Sequence, residues 1–352
     1  MMMTGKMLNN KNIVIIGGAG FIGHNMALEM KELGANVSVI DGLTVNNLVS
    51  FYSDDCNELN RKLYISFVNQ RLDLLRSAKI PLIIQDARDY HLLSKTLSSL
   101  KPDVIVHLAA VAHANRSNKD PYSTFDHSLR TLENSLDFAK ESKSHFIYFS
   151  SSMVYGNFPD DGVAKEETPC NPIGIYGSLK LAGEKMVIAY NQVYDMPYTI
   201  VRPSALYGER CVSRRVGQIF IENAINDQDI KIAGVGEDRL DFTYIKDLVN
   251  GVVLAVTNKN SYNEIFNLTY GESRSIAQMA ETLSNYFPGM KSIYEKRDKL
   301  TPERGTLSVE KAKKLLNYNP QWPLEKGFTR YIEWYRSMAG DNKSLLLPDM
   351  YE

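Results

Sequence analysis

The sequence predicts an α/β protein, with a Rossmann-type doubly wound parallel sheet and a smaller, mixed α/β C-terminal domain. Short apolar runs of strand length alternate with helical patterns from Asn12 to Val201, and a glycine cluster follows the first run directly. Alternation of this kind implies right-handed crossovers between parallel strands. The length of 352 residues allows two domains and an ample core.

Six apolar runs are the predicted strands of this sheet. In chain order they are Asn12–Ile16, Val37–Ile40, Pro81–Ile84, Val104–Val106, Phe146–Phe149 and Tyr198–Val201. The first predicted helix runs from His24 to Leu33 and ends at Gly34. The polar stretch from Gly42 to Lys79 is an insertion, and leucines near four-residue spacing predict that part of it is helical. After Arg202 the pattern loosens, but Asp241–Val256 and Ile265–Leu268 again predict helix and strand.

The composition is that of a soluble globular protein, with 44% hydrophobic and 23% charged residues. Forty Lys and Arg face 41 Asp and Glu, a net charge of -1, so no overall field attracts nucleic acid or a membrane surface. Three widely spaced cysteines, Cys56, Cys170 and Cys211, argue against a disulfide framework or a zinc knuckle. No apolar run reaches the roughly 18 residues of a membrane span. We therefore expect a cytoplasmic protein.

The glycine cluster has the spacing of a dinucleotide-binding loop. Gly18, Gly20 and Gly23 satisfy G-x-G-x-x-G between a predicted strand and a predicted helix, and Gly17 extends the pattern. Such glycines permit a tight turn and close approach of a pyrophosphate to the helix N-terminus. Asp41 ends the next strand, where a carboxylate accepts a hydrogen bond from a ribose 2′-OH and repels a 2′-phosphate, which favours NAD over NADP. The alternative is a structural turn with an incidental aspartate.

A tyrosine and a lysine stand one helical turn apart at Tyr176 and Lys180. A cation beside a phenol favours the phenolate, which would make Tyr176 a proton acceptor near neutral pH. The alternative is a surface pair without a role. Hydroxyl groups at Ser150–Ser152 close an apolar strand at its carboxyl end, where open α/β sheets bind ligands, and this favours the catalytic interpretation.

Several motifs together resemble the extended short-chain dehydrogenases/reductases, in particular the sugar-nucleotide epimerase and dehydratase group similar to UDP-glucose 4-epimerase. In order, the motifs begin at Gly17, Asp86, His107, Ser150, Tyr176, Arg202 and Asp241, and the resemblance covers residues 11–334. It implies a catalytic set in which Tyr176 is the general base, Lys180 holds the nicotinamide ribose and lowers the pKa of Tyr176, and Ser151 shares a hydrogen bond with the sugar.

The resemblance also implies the cofactor site. Asp86 and Ala87 would bracket the adenine, Leu108 to Ala110 would line the cleft, and Pro203 would contact the nicotinamide end. The full expected NAD site is Gly17, Gly20, Phe21, Ile22, Gly23, Asp41, Asp86, Ala87, Leu108, Ala109, Ala110, Tyr176, Lys180 and Pro203. The expected domains are an NAD-binding domain over residues 8–203, with a returning segment at about 241–268, and a substrate domain over 204–240 and 269–340.

The substrate half departs from the family pattern. Ala205 replaces the asparagine that reaches a UDP diphosphate, and Leu240 replaces an arginine. Arginines nearby suit a phosphate or an acidic sugar. The expected substrate-binding residues are Ser152, His113, Arg210, Arg215, Arg239 and Arg304. For Arg215 and its neighbour Arg214 a solvated surface position has equal weight, and it is also the alternative for Arg239 and Arg304. For His113 the alternative is a packed or capping side chain.

The residues after Ser151 narrow the reaction. Related dehydratases carry an acid pair there, whereas this chain has Ser152 and Met153, so 4,6-dehydration is disfavoured. The sequence favours an NAD-dependent nucleotide-sugar epimerase acting at C4. The alternatives are a sugar-nucleotide 4-dehydrogenase or 4-keto reductase and, least favoured, a non-catalytic dinucleotide-binding protein. The resemblance implies a homodimer formed by the helix at Tyr176 and one around Pro121 to Lys140. The histidines of the sequence form no metal-ligand cluster, so no metal is expected.

Overall fold

A computed structural model describes residues 7–52, 60–111, 114–297 and 301–341. The strands are β1 (Asn12–Ile16), β2 (Asn36–Asp41), β3 (Leu82–Ile84), β4 (Val104–His107), β5 (His145–Phe149), β6 (Val163–Ala164), β7 (Tyr198–Arg202), β8 (Leu206–Tyr207), β9 (Ile230–Ala233), β10 (Arg239–Leu240), β11 (Thr243–Tyr244), β12 (Glu264–Asn267), β13 (Arg274–Ser275), β14 (Ser292–Glu295) and β15 (Thr306–Leu307).

The helices lie between these strands. They are α1 (Phe21–Glu32), α2 (Leu48–Tyr52), α3 (Arg61–Ser77), α4 (Tyr90–Leu100), α5 (Ala114–Lys119), α6 (Pro121–Phe125), α7 (Thr131–Ser142), α8 (Gly174–Tyr194), α9 (Val216–Ile225), α10 (Ile245–Thr257), α11 (Ile276–Ser284), α12 (Glu310–Leu316) and α13 (Leu324–Asp341). A π-helical turn, Asp126–Arg130, joins α6 to α7, and short 3₁₀ turns cover Ser152–Val154 and Lys259–Ser261.

The central sheet is parallel, with the strand order β3-β2-β1-β4-β5-β7-β12. Helices cover both faces, so the middle strands carry apolar residues without alternation, and every residue of β4, β5 and β7 is buried. The two faces form separate apolar clusters. The predicted doubly wound α/β fold is confirmed, and the six predicted strands lie in this sheet.

Two helix boundaries differ from the sequence prediction. The first helix begins at Phe21 rather than His24, because Gly20 already adopts the extended conformation of an N-cap residue, with φ −74° and ψ −177°. The helix that carries Tyr176 begins at Gly174 and continues to Tyr194, where Asp195 ends it in the left-handed conformation. Tyr176 therefore lies in the first turn of α8.

The insertion after β2 forms α2 and α3, and α3 packs against the C-terminal helices. The Tyr64 hydroxyl donates to both carboxylate oxygens of Glu222 on α9, at 3.0 and 2.9 Å. Tyr335 of α13 donates to the same carboxylate at 2.9 Å. The Phe67 ring lies 4.7 Å from that of Trp334. The insertion thus connects the sheet to the C-terminal helices through apolar contacts and one buried carboxylate.

Among the described residues, the C-terminal part returns to the sheet once, through β12, which pairs with β7. The short strands β8 and β11, β9 and β14, β10 and β13, and β6 and β15 form two-stranded sheets around it. Asp241 joins these pieces, because its Oδ2 accepts hydrogen bonds from Leu307 N at 3.1 Å and Thr269 Oγ1 at 2.9 Å. The proposed domain boundaries stay a prediction. Within the described ranges, no helix has the length and apolar character to cross a bilayer.

Candidate active site

An open cleft lies at the carboxyl ends of β1, β2 and β4, where doubly wound sheets bind ligands. The structure brings most of the expected cofactor residues together in its lining. These are Gly17, Gly20, Phe21, Ile22, Gly23, Asp41, Asp86, Ala87, Leu108, Ala109 and Ala110. Of the expected substrate residues, Arg215 also lines this cleft. Pro203 is buried at the end of β7, where its carbonyl accepts from Ser152 N, and it lies outside the lining.

The glycines of the loop serve different purposes. Gly17 has φ +81°, and a Cβ there would lie 2.7 Å from Ala109 N. A Cβ on Gly23 would lie 2.5 Å from Gly18 Cα, so this glycine allows α1 to pack on the loop. A Cβ on Gly20 would meet no protein atom closer than Gly17 O at 3.4 Å, and Gly20 lines the cleft. The space beside Gly20 thus fits a ligand phosphate next to a helix N-terminus, as a dinucleotide requires.

Asp41 ends β2 in the same cleft, as the sequence predicts. Its Oδ2 accepts a hydrogen bond from Ala19 N at 2.9 Å, and its Oδ1 accepts one from Leu43 N at 2.7 Å. Burial raises the pKa of Asp41, while these two N–H groups oppose the rise. Each oxygen keeps lone-pair capacity beyond these bonds, so the carboxylate can accept from a ribose hydroxyl.

Asp86 lines the same cleft and belongs to an ion-pair cluster. Arg88 Nη2 lies 2.6 Å from Asp86 Oδ2, and Arg88 Nη1 lies 2.8 Å from Asp126 Oδ2. Hydrogen bonds from Arg88 hold the pKa of Asp86 below its usual range. His127, in the π-helical turn, also lines the cleft. This part of the lining therefore presents fixed polar groups, and their contact with an adenine stays a prediction.

Ser151, Tyr176 and Lys180 come together where β5 ends and α8 begins. Ser151 precedes a 3₁₀ turn and accepts from Met153 N at 3.2 Å. Lys180 Nζ lies 6.0 Å from the centroid of the Tyr176 ring and donates to Phe149 O at 2.7 Å. Burial lowers the pKa of Lys180 to about 8. The three side chains form one constellation at a carboxyl strand end, as the sequence predicts.

The electrostatics of Tyr176 differ from the sequence expectation. Burial raises the pKa of Tyr176, and the groups that oppose this rise are the positive charge of Arg215 and a hydrogen bond with the Ser151 side chain. Lys180, which the sequence assigned to this task, lies over the ring and donates to a backbone carbonyl instead. Arg215 also lines the cofactor cleft, so one side chain connects the cleft to the candidate proton acceptor.

A buried ion pair lies one further turn along α8, at Glu184. Arg202 of β7 holds its carboxylate with two hydrogen bonds, at 2.8 Å from Nε and 2.6 Å from Nη2. The Ser150 hydroxyl donates to the same carboxylate at 2.5 Å. Both charged side chains are at most 3% exposed. This pair fixes α8 against β5 and β7 and thereby positions Tyr176 and Lys180.

The other expected substrate residues are dispersed. Ser152 is buried in the 3₁₀ turn beside Ser151. Arg239 is exposed on β10, where its guanidinium donates to Ser273 Oγ at 3.0 Å and to Ser273 O at 2.7 Å. Arg304 is close enough to Arg215 for the two charges to interact, and burial lowers its pKa to about 10. His113 falls outside the described residues.

Arg210 contacts α1 and is absent from the cleft lining, and its role as a substrate ligand stays a prediction. Its Nε lies 3.2 Å from His24 Nε2, and its backbone adopts the left-handed conformation, with φ 63°. This geometry directs the guanidinium at α1, away from the cleft lining. The sequence placed Arg210 near the substrate because it follows the Tyr-Gly motif, and a motif position does not specify the direction of a side chain.

Sequence reasoning missed two residues of this region, His24 and Arg71. His24 is fully buried, with Nδ1 2.9 Å from Gly20 O, and burial holds its pKa well below the usual range. Arg71 of α3 is fully buried and lines the cleft. The sequence signal for His24 is its position four residues after Gly20. The signal for Arg71 is the presence of an arginine among the predicted apolar positions of the insertion.

The chain is similar to proteins of known or assigned activity. It is 28% identical to "Uncharacterized UDP-glucose epimerase YtcB" of Bacillus subtilis, with 93% of this chain and 98% of that protein covered. It is 26% identical to the dTDP-D-glucose 4,6-dehydratase of Bos taurus, with coverage of 93% and 89%. The crystal structure of UDP-glucuronic acid 4-epimerase from Bacillus cereus, in complex with UDP-glucuronic acid and NAD, superposes with a TM-score of 0.80 at 26% identity, covering 93% and 99%.

The family itself follows from a direct match. The sequence profile described as "NAD dependent epimerase/dehydratase family" matches residues 13–269, from β1 to the end of β12 and just beyond. This span contains the glycine loop, Asp41, Ser151, Tyr176 and Lys180. The chain belongs to the NAD-dependent epimerase/dehydratase family.

Proposed function

We propose that the chain is an NAD-dependent nucleotide-sugar epimerase that acts at C4. The observation that carries the proposal is the constellation of Ser151, Tyr176 and Lys180, connected to the cofactor cleft through Arg215. NAD, when bound, supplies a hydride acceptor and donor. The protein supplies the proton acceptor, the orientation of the sugar and the exclusion of water.

Tyr176 is the group that accepts the C4 hydroxyl proton and later returns it. Ser151 lies beside it and forms a hydrogen bond with the Tyr176 side chain. Through this bond Ser151 orients the Tyr176 hydroxyl and the C4 hydroxyl of the sugar. Arg215 favours the ionised phenol by its positive charge, whereas Lys180 lies over the ring and donates to Phe149 O. Inversion of C4 without net oxidation would require the proton to return to the oxygen and the hydride to return to the opposite face of C4.

Arg215 and Arg304 are the cations we assign to the substrate's diphosphate. Their charges already interact, and the Nε of Arg304 is buried without a hydrogen-bond partner. An anion between two such guanidinium groups would relieve their repulsion. Ser152 and Met153 offer no carboxyl group after Ser151, which favours epimerisation over dehydration. NAD as the resident cofactor, the homodimer and the cytoplasmic location stay predictions.

NMR spectroscopy of the purified protein with a panel of UDP-, GDP- and dTDP-sugars, without added cofactor, tests this proposal. We expect one sugar to convert to its C4 epimer while no NADH accumulates. Tyr176→Phe should lower kcat by about 10²- to 10⁴-fold because the proton acceptor is lost. Tyr194→Phe is the matched control on the same helix, since Tyr194 is 41% exposed. Net formation or consumption of NADH would instead indicate a dehydrogenase or a 4-keto reductase.

A further inference from the structure

Arg71 is a buried cation with an incomplete set of partners. It lies on α3, in the insertion, and none of its surface is exposed. Its Nε and Nη2 both donate to the carbonyl oxygen of Arg210, the former at 3.0 Å. Its Nη1 is buried without a hydrogen-bond partner. A buried donor left unpaired costs free energy, so the free edge of this guanidinium indicates an unfilled role.

The charge of Arg71 is also incompletely balanced. Burial lowers the pKa of Arg71 to about 10, and the neighbouring Arg210 adds to the decrease. Cys211 and, to a lesser extent, Asp41 oppose the decrease, but within the described ranges no carboxylate lies within ion-pair distance of Arg71. A desolvated cation of this kind is stabilised by an anion held in the same low-dielectric site.

A chain of hydrogen bonds fixes Arg71 relative to the glycine loop. Neutral His24 donates from Nδ1 to Gly20 O at 2.9 Å, and its Nε2 accepts from Arg210 Nε at 3.2 Å. The carbonyl of Arg210 then accepts from Arg71. The loop that presents its N–H groups to a phosphate is therefore coupled through two residues to a guanidinium in the same cleft.

We propose that Arg71 is a cofactor-binding residue: its guanidinium is buried at the lining of the cleft, and its positive charge stabilises the pyrophosphate of NAD held by the Gly17–Gly23 loop. The proposal rests on the NAD site assigned above. Within the cleft, Asp41 is suited to a ribose hydroxyl, whereas the pyrophosphate is the part of the cofactor that carries negative charge. The insertion after β2 thus has a second task besides packing, because α3 delivers a cation to the cofactor.

Titration calorimetry on the NAD-free protein tests the proposal with the variant Arg71→Met. We expect the Kd for NAD and for ADP-ribose to rise by a similar factor of about 10 to 100, because the variant removes a cation from the low-dielectric site next to the pyrophosphate. Adenosine lacks the pyrophosphate, so its binding, followed by saturation-transfer NMR, should not change. Arg76→Met is the matched control, because Arg76 lies on the same helix with a side chain 81% exposed.

Thermal unfolding without NAD shows whether the variant is folded. If Arg71→Met does not fold, Arg71→Lys retains the charge but not the planar fork, and it should raise both Kd values by less than about 10-fold. A folded variant at position 71 with the wild-type Kd for NAD, or with an equal loss of adenosine binding, would overturn the assignment. Failure of the wild-type chain to bind NAD would contradict both the proposed function and the assignment of Arg71. Unchanged NAD binding in the variant, with a wild-type chain that binds NAD, would contradict the assignment of Arg71 alone.

Discussion

Two alanine substitutions in the glycine loop should have different effects. Gly23→Ala should lower the stability of the protein, and Gly20→Ala should weaken cofactor binding. In Gly23→Ala the new Cβ would lie 2.5 Å from Gly18 Cα and 2.6 Å from Gly18 O, and backbone atoms cannot move aside as a flexible side chain can. Overpacking of this kind costs about 1–3 kcal/mol. For 352 residues the unfolding entropy is about 0.7 kcal/mol/K, so Tm should fall by about 1–4 °C.

Gly20→Ala should leave the NAD-free protein as stable as the wild type. Its backbone, at φ −74° and ψ −177°, suits alanine, and the nearest protein atom to the new Cβ is Gly17 O at 3.4 Å. The methyl group would occupy the space proposed for the pyrophosphate. We expect the Kd for NAD to rise by about 10- to 100-fold, which corresponds to the same overpacking cost of about 1–3 kcal/mol.

Differential scanning calorimetry without NAD and titration calorimetry with NAD measure the two effects in parallel. Wild-type affinity for NAD in Gly20→Ala would show that the cofactor does not approach this loop, and the site assignment would fail. An unchanged Tm in Gly23→Ala would show that the loop backbone can yield at Gly18, which contradicts the packing described above.

Three further predictions concern stability. Burial raises the pKa of Asp241 to about 6 in the folded chain, so its contribution to the free energy of unfolding is present below pH 4 and is lost as pH rises to about 6. Asp241→Asn should remove this pH dependence in urea unfolding measured from pH 4 to 7. Burial lowers the pKa of His145 to about 3, so below pH 6.5 this histidine binds a proton in the unfolded chain but not in the folded chain, and the free energy of unfolding decreases as pH falls. His145→Gln should reduce that decrease in the same measurement. Tyr64→Phe leaves the buried carboxylate of Glu222 without one donor and should lower the free energy of unfolding by about 1–3 kcal/mol. Tyr52→Phe is the control, because Tyr52 is 59% exposed and its substitution should change this free energy little. Equal effects of the two variants would contradict the role of α3 in joining the sheet to α9.

The parts of the site that depend on short-range spacing were predictable from sequence. The apolar runs and the glycine loop place Asp41 in the cleft because parallel strands end at one edge of the sheet, and the spacing of Tyr176 and Lys180 puts them on one helix face. The location of the cleft lining follows from topology alone.

What depends on distant packing was not predictable. Arg71 enters the cleft only because α3 packs against α9 and α13, far away in sequence. The left-handed backbone at Arg210 turns its side chain to His24, and no motif encodes that turn. The pKa of Tyr176 depends on burial and on Arg215, which lies 39 positions further along the chain, since 215 − 176 = 39.

The most direct test of the proposed reaction follows the hydrogen at C4. UDP-glucose or UDP-glucuronate carrying deuterium at C4, whichever the panel shows to be a substrate, is incubated with the protein in ordinary water, and the product is examined by NMR and mass spectrometry. We expect a C4 epimer that keeps its deuterium, no rise in NADH, and a rate at least about 100-fold lower in Tyr176→Phe. A product with solvent hydrogen at C4, or a keto product formed with stoichiometric NADH, would contradict it.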